Sequence, residues 1–339
     1  MDTPTVPAQR GATPEPDGGA DRTPTIVVGV DGSDGCRPAL AWAFEAAARR
    51  GAELQVRSAF PVETFWLDPQ PMDTDHVARI RADTEARARE VVEEVRHDLP
   101  GTPTGAVRVH VVAVAGPAAQ RLVEATGTAD LLVVGSRGRG GVSSTLLGSV
   151  ALHCSTHAEC PVVVVHPARQ HAVAAVPGRP RVVVGLDDPA HAAGPLLRAA
   201  EEAAGLAALL EVVLAYEAPN YWSDLYALMA PPLGETHQQA FQRGSALVAD
   251  VLGPEGLERG DVRVVAVRGR AGEVLVQEAE GAALLVVGSR SRSRLEGMLL
   301  GSVALHCVVH APCPAMVVRP EPAPATAGTA QAAAAAAPR

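Results

Sequence analysis

At 339 residues, 47% hydrophobic and 20% charged, the chain is long enough for two domains with apolar cores. Its net charge of −9 excludes a general nucleic-acid-binding surface, which needs a basic face, but not a small anion held by backbone N–H groups. Five cysteines form no disulfide framework, and no apolar stretch reaches the ~18 residues of a membrane helix, so the expected location is cytoplasmic, away from membranes.

Residues 1–22 are rich in Pro, Gly and Asp and are expected to be disordered. Next, "TIVVGV" reads as a strand, "CRPALAWAFEAAARRG" as a helix closed by Gly51, and "ELQVRSAF" as a second strand. A long amphipathic helix follows in "HVARIRADTEARAREVVEEVRHDL", with Ile80, Thr84, Ala88, Val91, Val95 and Leu99 along one face. The strand "VRVHVVAV", the helix "PAAQRLVEATG", the strand "ADLLVVG", the helix "SVALHCSTH" and the strand "PVVVVHP" complete a block over 23–167. Runs that are apolar throughout, with helices between them, fit a parallel sheet covered on both faces. Residues 168–178 read as a linker and 179–320 as a second block. The Pro/Ala segment 321–339 reads as a disordered tail.

The second block repeats the first. "DLLVVGSRGRGGVSSTLLGSVALHCSTHAECPVVVV" aligns without gaps on "ALLVVGSRSRSRLEGMLLGSVALHCVVHAPCPAMVV" at an offset of 153, and "TIVVGVDGSDG" on "RVVVGLDDPAH" at 156. Solenoid repeats are ~20–50 residues long, so this period marks a duplicated domain. The expected fold is α/β: two tandem open five-stranded parallel-type sheets with helices on both faces.

Open α/β sheets bind ligands beyond the carboxyl ends of their strands. Asp31-Gly32-Ser33 follows the first strand, and the loop from Gly135 to Gly148-Ser149 follows another. Gly135 and Gly138 lack Cβ and permit unusual backbone angles or close ligand approach. Ser149 opens a helix, so the N–H groups of Ser149, Val150 and Ala151 lack intrahelical partners and favour phosphate oxygens. Ser136 and Ser149 hydroxyls, with Arg137 and Arg139, are candidates to supplement them, and Asp31 to accept hydrogen bonds from a base or ribose. Plainer readings stay open: the glycines as simple turns, "GSVA" as a capped helix, Asp31 as a helix cap.

The spacing G-x-x-G, nine residues, G-[ST], met by Gly135, Gly138, Gly148 and Ser149 together with "VVGVDGS" and "HAECPVVVV", resembles the universal stress protein family. The likeness spans both blocks, as in a tandem member. It implies an adenine nucleotide alpha hydrolase-like fold and, in many members, ATP binding with a possible magnesium ion. By this likeness Gly29, Val30 and Asp31 contact adenosine. Gly135 to Arg139, with Gly140 and Gly141, and Gly148 to Val150 embrace ribose and phosphates. Gly185, Leu186 and Asp187 correspond in the second block, as do Gly288, Ser289, Arg290, Gly301, Ser302 and Val303. It further implies that the last strands pair within the chain as a pseudo-dimer, that chains dimerise, and that a protein partner exists.

The second loop departs from the pattern: Ser291 stands where the first has Gly138, and Asp188-Pro189 replace Gly32-Ser33. If the loop needs a positive φ there, Ser291 costs ~1–2 kcal/mol; Arg292 and Arg294, with Arg290, offer phosphate contacts in exchange. His153, Cys154, His157 and Cys160, repeated as His306, Cys307, His310 and Cys313, are spaced like metal ligands. Duplication explains the recurrence and cysteine packs as a small hydrophobe, so no metal site is assigned. Neither a phosphate-loop lysine motif nor a nucleophile elbow is present. The expected function is a nucleotide-responsive stress or dormancy regulator that hydrolyses ATP slowly at most. An interaction module without nucleotide and a slow ATPase are the alternatives.

Overall fold

The computed structural model describes residues 22–61, 74–138, 147–166, 179–217, 233–255, 260–289 and 300–319. The expected linker, the C-terminal tail and all but one residue of the N-terminal segment lie outside these. The first half runs β1 (Thr25–Gly29), α1 (Cys36–Arg50), β2 (Glu53–Phe60), α2 (Thr74–His97), β3 (Val109–Ala115), α3 (Ala118–Ala125), β4 (Leu131–Gly135), α4 (Ser149–His157) and β5 (Val162–Val165). The second runs β6 (Arg181–Gly185), α5 (Pro189–Gly205), β7 (Leu209–Tyr216), α6 (Leu233–Leu252), β8 (Val262–Arg268), α7 (Ala271–Glu278), β9 (Leu284–Gly288), α8 (Ser302–His310) and β10 (Ala315–Val318).

Successive side chains of a strand point to opposite faces, and both faces are covered here. Ile26 and Val28 of β1 join Leu40 and Phe44 of α1 in one core. Val27 joins Leu122 of α3 and Cys154 of α4 in the other. This explains why the inner strands carry no polar alternation: Leu131 to Val134 are all buried. α2 lies over the first core through Ala88, Val92 and Val95, close to the face read from its periodicity.

The strand order is β3-β2-β1-β4-β5-β10-β9-β6-β7-β8 in one ten-stranded sheet. Within each half every pairing is parallel. The halves meet where β10 runs antiparallel to β5, with Met316 opposite Val163. The two five-stranded sheets are therefore continuous, joined by the two last strands. Across this joint Arg50 of α1 pairs with the buried Glu202 of α5, and Arg198 donates to the Asp130 carbonyl at 3.0 Å. Among the described residues no helix is long and apolar enough to cross a membrane.

In each half the first strand lies between the second and the fourth, β1 between β2 and β4. The chain leaves β1 and β4 towards opposite sides, which opens a crevice beyond their carboxyl ends. Asp31 and the glycine loop both emerge there.

Candidate functional site

The crevice of the first half is a cleft of about 410 Å³. Gly29, Val30 and Asp31 form one wall, and Gly135, Arg137 and Gly138 the facing one. Gly148, Ser149 and Val150 close the end at the start of α4. No side chain caps α4, so its first N–H groups and its positive end are presented to the cleft.

Asp31 is fixed rather than swinging. Its Oδ1 accepts from the Ser33 amide at 3.0 Å and the Ser33 hydroxyl at 2.6 Å. The residue preceding α1 is Gly35, not Asp31, and it provides no side-chain cap. The capping reading of Asp31 thus falls.

Space explains the loop glycines. A Cβ on Gly138 would sit 2.6 Å from Asp31 Oδ2, while the Gly138 φ lies outside the left-handed region. A positive φ is therefore not what favours glycine at 138: the backbone passes directly over the carboxylate, which a side chain there would have to displace. A second close approach joins the loop to the turn before α1. A Cβ on Gly135 would meet the Gly35 carbonyl oxygen at 2.6 Å, and one on Gly35 the Arg137 carbonyl oxygen at 2.7 Å.

Ser136 is placed differently from the sequence expectation. It is wholly buried, its N–H donates to Val165 O at 2.8 Å, and its carbonyl accepts from the Gly148 N–H at 2.7 Å. It fastens both ends of the loop to β5 instead of lining the cleft. Ser289 does the same in the second half, donating to Val318 O at 2.8 Å and accepting from Gly301 at 2.7 Å. Arg139, Gly140, Gly141, Arg290, Ser291, Arg292 and Arg294 lie outside the described residues.

Among the lining residues that the sequence did not single out are Cys36, Arg57 and Arg121. Burial pushes the Cys36 thiol up, away from thiolate chemistry. Burial likewise pulls the Arg57 guanidinium down. Arg57 alternates with buried neighbours along β2, a pattern that reads as solvent-facing, and Arg121 lies on the helix α3.

The second half builds a smaller cleft of about 130 Å³, lined by Gly185, Leu186, Asp187, Gly288, Gly301 and Val303 among others. Ser302 opens α8 next to Gly301. Asp188 caps α5, its Oδ1 accepting from Ala190 N at 3.0 Å. His191 stands where the first half has Gly35 and also lines the cleft.

His153 stacks on His157 with centroids 4.2 Å apart, and all the cysteines are buried and free. Among the described residues no three His, Cys, Asp or Glu side chains converge on a possible metal position.

The model of the Universal stress protein family matches twice, over residues 23–166 and 178–319. The chain belongs to the universal stress protein family. This protein is similar to a universal stress protein of Mycolicibacterium smegmatis, with 32% identity over 298 residues covering 87% of this chain and 97% of that one. It is equally similar to one of Mycobacterium tuberculosis, 32% identical over 304 residues, covering 87% and 96%. Such coverage shows that tandem organisation is shared with these relatives. Among solved structures, a universal stress protein from Archaeoglobus fulgidus shares the fold at 19% identity with a TM-score of 0.58, covering 87% of this chain and 98% of that one.

Proposed function

We propose that this universal stress protein binds ATP, with a magnesium ion on the phosphates, in the cleft of its first half, and acts as a nucleotide-responsive regulator in stress or dormancy. The cleft volume of about 410 Å³ falls within the range of small-molecule sites. The observation that carries the reading is the approach of Gly138 to the pinned Asp31 carboxylate, beside the uncapped start of α4. This sets a carboxylate acceptor suited to ribose or base hydroxyls and amines opposite a group of N–H donors suited to phosphate. In this reading 23–167 and 179–320 are the two domains, and the protein works in the cytoplasm.

Occupancy of the cleft is the signal. Titration calorimetry with ATP and magnesium on the wild type and on Asp31→Ala tests this. Saturable binding that Asp31→Ala weakens at least about tenfold is expected, since hydrogen bonds to a charged group contribute about 1.5–3 kcal/mol each. Equal affinity in the two proteins sinks the site assignment.

A further inference from the structure

The two halves share a backbone but not a cleft chemistry. Arg57 lies opposite Gly29 in the β1–β2 register and so points to the ligand side of the sheet. Its Nε donates to Gln55 Oε1 at 2.9 Å and its Nη1 to the Arg121 carbonyl at 3.2 Å. Arg121 of α3 donates through Nε to Ala115 O at 2.8 Å and through Nη1 to Glu124 Oε2 at 2.8 Å. These bonds fix both guanidinium planes, and the Nη2 of each makes no hydrogen bond to a described residue. The register of the second half puts Val213 opposite Gly185, and Val274 takes the place of Arg121 in α7. Both cleft arginines are thus valines there.

β2 stands two strands from β4, roughly 10 Å at ordinary strand spacing. A nucleotide with its phosphates at α4 therefore extends its other end towards Arg57 and Arg121. We propose that Arg57 and Arg121 are specificity-determining residues that grip the base end of the nucleotide, and that Val213 and Val274 leave the second cleft without nucleotide. Arginine offers donors only, arranged in a planar fork. It reads the acceptor atoms of a base edge and stacks on the ring face. Valine does neither. The second cleft is also narrower, about 130 against 410 Å³, and its mouth carries Asp188 and His191 in place of Gly32 and Gly35.

This inference rests on the nucleotide reading above, and one experiment separates their failures. ATP binding with magnesium is titrated for the full chain, for Arg57→Val/Arg121→Val, for Arg57→Lys, and for Asp187→Ala, with thermal melting to confirm folding. The expected result is one ATP per chain, no change in Asp187→Ala, and affinity at least about tenfold weaker in the double variant. Arg57→Lys, which keeps the charge and loses the planar fork, falls between. Two ATP per chain, or an unchanged affinity in a folded double variant, overturns the proposal while leaving nucleotide binding intact. No binding by the wild type overturns both. Should the double variant fail to fold, the wild-type stoichiometry and the Arg57→Lys affinity decide.

Discussion

Replacing Gly138 with alanine is expected to impair ligand binding while leaving the fold intact. The added Cβ lies 2.6 Å from Asp31 Oδ2, about 0.8 Å short of the ordinary contact range that begins at 3.4 Å. Asp31, held through Oδ1 by the Ser33 amide and hydroxyl, must turn its Oδ2 aside. Each such charged bond contributes about 1.5–3 kcal/mol, and at a partly exposed site the lower figure applies. A carboxylate moved out of place forfeits one such bond to the nucleotide, about 1.5 kcal/mol or roughly tenfold in affinity. Gly138 itself is exposed, so the melting temperature should move by less than about 2 °C. Calorimetric titration with ATP, run as a double-mutant cycle with Asp31→Ala, isolates the cause. If the methyl acts by displacing the carboxylate, Asp31→Ala/Gly138→Ala binds no more weakly than Asp31→Ala alone. Additive losses, or wild-type affinity in Gly138→Ala, refute this reasoning.

Three further outcomes follow from the packing. Glu211 is completely buried between Arg181 at 3.0 Å and Arg263 at 2.6 Å, so Glu211→Ala should lower the unfolding free energy by roughly 3–5 kcal/mol; a loss below about 1 kcal/mol in urea melts contradicts it. Glu202→Ala strands the Arg50 guanidinium at the joint between halves and should be comparably destabilising by the same measurement, whereas an unchanged midpoint denies the pair any role. Burial pushes Cys154, Cys160, Cys307 and Cys313 up to about 12, while unfolded thiols titrate near about 8.5. The unfolded chain therefore loses these protons first, and stability present below about pH 8.5 declines towards pH 12, by up to about 1.4 kcal/mol per pH unit for each thiol. All 29 basic residues are arginine, so lysine titration does not obscure this window. Unchanged urea midpoints from pH 8.5 to 11 count against it.

The fold was legible because both faces of the sheet are covered. Runs such as Leu131 to Val134 need no polar alternation, and the helix limits at Cys36, Gly51 and Ser149 follow from local signals. The duplication was legible from the near-identical closing segments of the two blocks. What escaped the sequence is non-local. Gly35 matters because the turn before α1 touches the Gly135 loop a hundred residues on, a contact that no spacing within one loop reveals. Arg57 and Arg121 sit at half-buried positions on a strand and a helix, where arginine ordinarily faces solvent. Ser136, flanked by glycine and arginine, looked like a ligand group, yet its bond to Val165 turns it inward. The need for glycine at 138 was visible, but its cause lies in Asp31, distant in the chain and adjacent in space.

The central claim is that the first cleft holds nucleotide. The nucleotide content of the purified and then denatured protein, read by chromatography and mass spectrometry, tests it most directly. The account predicts ATP or ADP, or uptake of added ATP with magnesium, near one per chain and lost in Asp31→Ala. A protein that is empty as purified and takes up no ATP with magnesium contradicts it.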